Sequence, residues 1–120
     1  MLIMAVKRIV VNIHADRVAD AHRFYSQLFD LEVVMDMGWI VTFASDQNAP
    51  VQLSVASEGG SGTPVPDFSI EVDNVEQLYE QAKSLGFEIA YKLTREPWGV
   101  DRFFVRDPFG KLVNVLSHSV

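Results

Sequence analysis

The chain contains no cysteine among its 120 residues, which excludes disulfides, thiolate metal sites and cysteine nucleophiles. No apolar run approaches the roughly 20 residues that a membrane-spanning helix needs, so we expect no membrane partner. The opening apolar run at 1–6 is too short for a secretory signal and lacks an early positive charge, so we expect a cytoplasmic protein. Bases are also scarce, because 10 Lys and Arg stand against 16 Asp and Glu, for a net charge of -6. This balance argues against nucleic acid as a partner, since such binding needs clustered cations.

The composition is that of a globular protein, with 48% hydrophobic and 22% charged residues. The length fits one domain, which we predict to span 1–120. A stretch rich in Gly, Ser and Pro at 58–66 predicts a linker near the middle of the chain. The predicted organisation is therefore a module at about 6–57, this linker, and a second module at about 67–119.

The two modules repeat one pattern. Each begins with an apolar run and continues with apolar residues at helical spacing, and the spacing is the same in both helices. These positions are Val18, Ala21, Tyr25 and Leu28 in the first, and Val75, Leu78, Ala82 and Leu85 in the second. The repeat predicts helices at 17–29 and 74–85. It predicts strands at 6–14, 31–37, 39–45, 50–56, 67–73, 88–94, 101–106 and 112–118.

Residues suited to helix ends flank both predicted helices. Asp16 and Asp73 precede the helices at the same offset and are suitable as N-terminal caps or first-turn acids. Asn74 with Gln77 could alternatively form a capping box. Gly86 follows the second helix, where a glycine commonly ends a helix.

Alternation along the strands predicts one apolar and one polar face in each sheet. In the first strand, Val11 and Ile13 share a face, and Val10, Asn12 and His14 share the other. The fourth, fifth and eighth strands alternate in the same way. Two such polar faces would enclose a polar-lined cleft if the sheets folded toward each other. The alternative is that the polar faces simply contact water, as in many antiparallel sheets.

Several motifs resemble the vicinal oxygen chelate superfamily, which includes glyoxalases, bleomycin-resistance proteins and dioxygenases. The motifs are Phe24-Tyr25, Leu28-Phe29-Asp30-Leu31-Glu32-Val33, Val72-Asp73-Asn74-Val75 and Arg106-Asp107-Pro108-Phe109-Gly110-Lys111-Leu112-Val113. The segment 96–108, which begins Glu96-Pro97-Trp98-Gly99, looks closest to the bleomycin-resistance branch. The resemblance implies an α+β fold, in which two tandem βαβββ modules form a curved mixed sheet around a cleft.

The resemblance also implies where a divalent metal would be bound, by one inward-facing residue from each of four central strands. Those positions hold Val10, Gln52, Asp67 and Asn114 here. Valine cannot bind a metal, and one carboxylate with two amides is a poor site for zinc, nickel or iron. We therefore expect no metal and no cofactor, although a weak calcium or magnesium site is conceivable.

Three other side chains leave a shifted site open. His14 and His118 each lie four residues beyond an implied ligand position, and they could form an unconventional metal site with Glu71; the alternative is two exposed surface histidines. Asp67 and Glu71 lie on one strand face and could act as paired carboxylates. The alternative is that they are hydrated or paired with Arg102 or Arg106.

The leading hypothesis is a metal-free small-molecule-binding protein that sequesters a cationic or aromatic, antibiotic-like ligand. Aromatic walls with a few polar groups are typical of such pockets. A divergent metal-dependent lyase, isomerase or dioxygenase is the alternative, and a dimerising module without a ligand is a third possibility. We also expect a homodimer, since open sheet edges favour pairing. The expected cleft residues are Asn12, His14, Trp39, Phe43, Gln52, Asp67, Ser69, Glu71, Trp98, Phe104 and Asn114.

Overall fold

The structure is a computed structural model that describes residues 5–29, 31–45 and 52–118. All eight predicted strands are present, and their ends shift by at most one residue, apart from the start of the fourth strand, where 50 and 51 lie outside the described ranges. The strands are β1 (Val6–His14), β2 (Glu32–Asp36), β3 (Ile40–Ala44), β4 (Gln52–Ala56), β5 (Phe68–Val72), β6 (Ile89–Arg95), β7 (Val100–Arg106) and β8 (Leu112–His118).

The first predicted helix is not a continuous α-helix. A 3₁₀ turn at Val18–Asp20 is followed by a π-helix at His22–Leu28. Asp16 is not the cap, because the N-terminal cap position is Arg17 and no side chain caps the turn. The first turn is instead closed by the amide of Asp20, which donates to the Arg17 carbonyl at 3.1 Å. A helix start that lacks a capping acceptor leaves amide groups unsatisfied, and a tighter turn is one way to satisfy them.

The second helix, α1, spans Val75–Ser84. Of the two predicted caps, Asn74 is the one that forms: its Oδ1 accepts from the Gln77 amide at 3.2 Å, and its Nδ2 donates to Gln77 Oε1 at 2.9 Å. Asp73 instead accepts a hydrogen bond from the amide of Ala5. Gly86 follows the helix with a φ of 81°, as a glycine at a helix end does. No helix in the described part of the chain is long and apolar enough to cross a membrane.

The chain divides into two compact units. The first unit is Val10–Val65, and the second unit is Met1–Ile9 together with Pro66–Val120. The boundary after Val65 lies inside the predicted linker, whereas the boundary after Ile9 lies inside β1. The predicted first module, in contrast, began at residue 6.

The first unit contains strands in the order β2-β3-β4-β1. β3 is antiparallel to both neighbours, and β1 is parallel to β4. The core of the unit lies on the face that carries Val41, Phe43 and Val55, where the 3₁₀ turn contributes Val18. By register, Val11 and Ile13 of β1 share this face with Leu53 and Val55, yet both are exposed, while Val10 is buried. The predicted apolar face of β1 is therefore not covered at these two positions.

The second unit contains strands in the order β5-β8-β7-β6. β5 and β8 are parallel, and the other two pairs are antiparallel. α1 covers one face, where Val75 packs with Val72, Phe103, Val113 and Val115. Each unit thus mixes one parallel pair with antiparallel pairs, in the chain order strand, helix, three strands. The predicted α+β fold with two βαβββ modules is confirmed.

The segment predicted as a linker forms a hydrogen-bonded turn. The Gly59 amide donates to the Thr63 carbonyl at 2.8 Å, and the Thr63 amide and hydroxyl both donate to the Gly60 carbonyl. A Cβ atom at Gly59 would lie 2.1 Å from the carbonyl oxygen of Pro64. The glycine is therefore required by a close backbone approach.

Candidate functional site

The sheet face of the second unit that lies opposite α1 carries several polar side chains. The register places Ser69, Asn114 and Phe104 in one row across β5, β8 and β7, and Glu71, Leu116 and Arg102 in the next row. Directly opposed residues in neighbouring strands present their side chains on the same face, so these two rows share one surface. We call these six residues, together with His118 at the end of β8, the polar face.

Asn114 lies at the centre of the polar face and is only 8% exposed. Its Nδ2 donates to the Ser69 hydroxyl at 3.1 Å. Its carbonyl oxygen, Oδ1, is buried and has no hydrogen-bond partner in the part of the chain that the structure describes. A buried acceptor left without a donor costs roughly 1–3 kcal/mol, and each such group in a folded protein calls for an explanation.

Glu71 lies beside this row, with a side chain that is 12% exposed. It accepts hydrogen bonds from Arg8 Nε and from His118 Nδ1, the latter at 2.9 Å. Burial by itself raises the pKa of the Glu71 carboxyl, but the hydrogen bonds and charges of His118 and Arg8 outweigh it and hold the pKa below its ordinary value. Of the alternatives left open for Glu71, an ion pair is the one that forms, although its partners are Arg8 and His118 rather than Arg102 or Arg106.

Arg102 is paired with Glu96, and both side chains are buried, at 4% and 3% exposure. Arg102 Nε donates to Glu96 Oε2 at 2.7 Å, and the Tyr91 hydroxyl donates to the same oxygen at 3.0 Å. The guanidinium lies over three rings, at 5.3 Å from Tyr91, 5.0 Å from Trp98 and 4.8 Å from Phe104. Trp98 and Phe104, which we expected to line a ligand cleft, therefore contact a cation of the protein itself.

Asp67 lies just before β5 and bonds to the backbone of β8. Its carboxylate accepts from the Leu112 amide at 2.7 Å, and its own amide donates to the Leu112 carbonyl at 2.8 Å. These two bonds extend the pairing of β5 and β8 by one residue. The described geometry gives Asp67 a role in joining these strands.

The expected cleft residues of the first unit occupy different environments. Asn12 is in register with Ser54, whose hydroxyl shares a buried 2.7 Å hydrogen bond with Thr42. Gln52 and Trp39 are half-buried, and His14 is exposed with its Nε2 at 3.9 Å from Asp16.

Phe43 was expected to be an aromatic wall of the cleft, and this placement is wrong. The ring lies in the core of the first unit, in contact with the rings of His22 and Tyr25 at 5.6 Å and 5.7 Å. The alternation of β3 explains the error, because Phe43 shares the helix-covered face with Val41 rather than the opposite face with Thr42.

The four positions implied as metal ligands are not a conventional donor set. Val10 is buried and apolar, and the amide of Asn114 is bonded to Ser69. Within residues 5–29, 31–45 and 52–118, no three His, Asp or Glu side chains converge as a metal site would require. Of the shifted set His14, His118 and Glu71, the structure brings together His118 and Glu71.

Sequence reasoning missed Arg8, Tyr91 and Glu96 as members of the candidate site. The alternation of β1 carries a weak signal for Arg8, since Arg8 lies on the same strand face as Asn12 and His14. For the cluster around Arg102, the available signal is that Arg102 and Phe104 are two residues apart on one strand, so their side chains must share a face.

Comparison with known proteins gives a family and several similar folds. The model of the Glyoxalase/Bleomycin resistance protein/Dioxygenase superfamily matches residues 7–115. No curated protein sequence matches the chain.

Solved structures with similar folds cover nearly the whole chain. One, described as an NAD-dependent benzaldehyde dehydrogenase from Legionella pneumophila, has a TM-score of 0.75 and 14% identity and covers 93% of this chain and 100% of its own. A glyoxalase/bleomycin resistance protein/dioxygenase superfamily member from Vibrio splendidus 12B01 has a TM-score of 0.63 and 19% identity, with 94% and 99% covered. A protein from Staphylococcus aureus has a TM-score of 0.65 and 14% identity, with 96% and 99% covered. At such identities the likeness shows the fold alone.

Proposed function

The chain belongs to the Glyoxalase/Bleomycin resistance protein/Dioxygenase superfamily, and from this premise we propose that it is a metal-free protein that binds and sequesters a small molecule. The ligand donates a hydrogen bond to Asn114 on the polar face.

The observation that carries the proposal is the buried Oδ1 of Asn114, which has no hydrogen-bond partner among the described residues. Ser69 fixes the orientation of the amide by accepting from Nδ2, so the acceptor is held in place before a ligand arrives. A ligand N–H or O–H would satisfy this oxygen and remove the cost of leaving it unpaired. Preorganised acceptors of this kind give small-molecule sites their specificity.

The charges around Asn114 bear on which ligand fits. Glu71 is bonded to Arg8 and His118, Glu96 to Arg102, and Asp67 to a backbone amide. Because each of these carboxylates already has a partner, the proposal rests on a hydrogen-bond donor rather than on a positive charge. An aromatic amide, or a larger antibiotic-like molecule that carries such a group, has the chemistry that this face would recognise.

A matched pair of probes tests the proposal. Benzamide carries two N–H donors, whereas N,N-dimethylbenzamide has the same ring and carbonyl without a donor. We expect benzamide, and not its dimethyl analogue, to shift the Asn114 side-chain amide resonances in a ¹⁵N-labelled sample. In Asn114→Ala the affinity for benzamide should fall about tenfold, the loss of one hydrogen bond.

The control variant is Gln81→Ala, which alters an exposed amide side chain on α1. It should bind benzamide as the unaltered protein does. Equal binding of the two probes, or unchanged affinity in Asn114→Ala, would overturn the assignment of Asn114 as the anchor.

We also propose that the protein is a homodimer. β2 is the terminal strand in the order of the first unit, and all five of its residues are exposed, including Val33, Val34 and Met35. An apolar edge strand of this kind favours pairing with another strand, and a second copy of the chain would supply one.

A further inference from the structure

His118, Glu71 and Arg8 form a linked set at the end of the polar face. His118 Nδ1 lies 2.9 Å from Glu71 Oε2, and Arg8 Nε bonds to the other oxygen, Oε1. Glu71 is mostly buried, whereas the His118 side chain is 53% exposed. The arrangement therefore places a buried carboxylate behind an accessible imidazole.

The contact with Glu71 determines which nitrogen of His118 can accept a proton. An ionised carboxylate has only acceptor sites, so Nδ1 must carry the hydrogen that bridges to Glu71. In the neutral ring the lone pair is then on Nε2, the nitrogen remote from Glu71. A carboxylate that fixes the tautomer of a histidine in this way also stabilises the imidazolium that forms when the ring takes up a proton.

The neighbouring groups keep Glu71 in the form that this role needs. Arg8 from β1 and His118 from β8 both bond to Glu71 and hold its pKa below the ordinary value. On β7, the residue opposite His118 is the apolar Val100. Among the residues that the structure describes, the charged or titratable groups bonded to Glu71 are thus Arg8 and His118, and Glu71 stays ionised at neutral pH.

We propose that His118 is a general base, with Nε2 as the acceptor, and that Glu71 is its positioning residue. The substrate class is a small neutral molecule with a weakly acidic C–H bond. Nε2 takes the proton, and the electron pair of the C–H bond remains with the substrate, where it forms a new π bond. At the same time a second bond of the substrate breaks, and its leaving atom takes the electron pair of that bond. The proton then passes from His118 to water, so the step needs no metal and no redox partner. This activity goes beyond ligand binding at Asn114 and does not depend on it.

The probe reaction is the elimination of 5-nitrobenzisoxazole. A base removes the single proton on the carbon of the isoxazole ring, the C–H electrons complete a nitrile, and the N–O bond breaks to release a coloured phenolate. His118→Gln should lower the protein-catalysed rate about 100-fold, the usual size of a general-base contribution. Glu71→Gln should lower it about tenfold through loss of a charge-assisted hydrogen bond. Glu80→Gln, a matched change at an exposed carboxylate on α1, should leave the rate unchanged.

The tautomer of His118 separates a positioned base from a merely structural ion pair. We expect ¹⁵N spectra to show His118 protonated at Nδ1 in the neutral ring, and Glu71→Gln to increase the share of the other tautomer. Equal rates in unaltered protein and His118→Gln, or a neutral His118 that carries its proton on Nε2, would overturn the proposal. Asn114→Ala serves to distinguish the two proposals, because it should weaken benzamide binding about tenfold and retain the tautomer of His118.

Discussion

Glu96 and Arg102 form a buried ion pair whose carboxylate also accepts from Tyr91 and whose guanidinium lies against three aromatic rings. Buried charges are stable only when such partners are present, and removal of one partner leaves the other uncompensated. The cluster therefore holds one edge of the polar face in a single arrangement. The aromatic rings that look suited to a cationic ligand therefore already contact the guanidinium of Arg102.

Glu96→Gln should destabilise the protein by about 3–5 kcal/mol, since it leaves the Arg102 charge buried without its counter-ion. Urea unfolding followed by circular dichroism would measure the change. Glu80→Gln is the matched control, because Glu80 pairs with Lys83 on an exposed helix surface and such pairs contribute about 0–1 kcal/mol. A loss for Glu96→Gln no larger than that for Glu80→Gln would contradict this account of the cluster.

Glu71 makes the stability depend on pH in a definite direction. Its pKa in the folded protein lies below the ordinary value of 4.5. The unfolded chain therefore takes up the proton first as the pH falls, and stability that is present above that value is lost as the pH drops through the pKa of the folded protein. In Glu71→Gln the unfolding free energy should decline less steeply below a pH of about 4.5 than in unaltered protein.

Unfolding free energies measured across the acid range would check this slope, with Glu80→Gln again as the control. If the two variants declined in parallel with the unaltered protein, Glu71 would not be the group responsible.

The residue partners on the polar face were only partly predictable. Ser69 and Asn114 could be placed on one face because strand side chains alternate, and the structure brings them together. The bonds from Arg8 and His118 to Glu71 join residues 63 and 47 positions apart. Such pairs depend on strand order and register, which alternation along a single strand does not determine.

At the scale of elements, the strands and α1 follow from local pattern, while the first helix does not. Alternating apolar residues mark the strands, and Asn74 with Gln77 marks the start of α1. The first helical segment has the same apolar spacing as α1, yet it has no side-chain cap and forms a 3₁₀ turn and a π-helix. The spacing of apolar residues predicts a helical segment. The type of helix depends on which groups form hydrogen bonds with the free backbone amides and carbonyls at its ends.

The turn at 59–64 gives a prediction at this scale. Gly59→Ala should destabilise the protein by about 1–3 kcal/mol, the usual cost of forcing extra atoms into a filled site, because the new Cβ would meet the Pro64 carbonyl. Ser57→Ala, at an exposed position just before the turn, should change stability by less than about 0.5 kcal/mol. Thermal unfolding would compare the two, and equal midpoints would show that the turn can relax around the added methyl.

At the scale of the whole molecule, the exposed β2 strand predicts self-association. We expect light scattering at micromolar concentration to give the mass of a dimer. Val34→Lys, which places a charge on the edge strand, should shift the protein toward monomer. Leu85→Lys, at an exposed apolar position next to α1, is the control and should remain dimeric. A monomeric unaltered protein would contradict the proposed homodimer.

The family membership leaves two kinds of function to distinguish, a metal-free binder and a metal-dependent enzyme. Val10, Gln52, Asp67 and Asn114 occupy the positions where the family resemblance implies metal ligands, and hydrogen bonds within the second unit already engage Asp67 and the amide of Asn114. The two functions differ in whether the protein holds a metal ion, so the metal content distinguishes them.

The most direct measurement is the metal content of protein purified without chelator, determined by elemental mass spectrometry alongside Asp67→Asn. We predict no stoichiometric zinc, nickel, iron or manganese in either sample, because these metals prefer imidazole, thiolate or several carboxylates as ligands. One tightly bound transition metal per chain, lost in Asp67→Asn, would contradict the account and favour the metal-dependent enzyme.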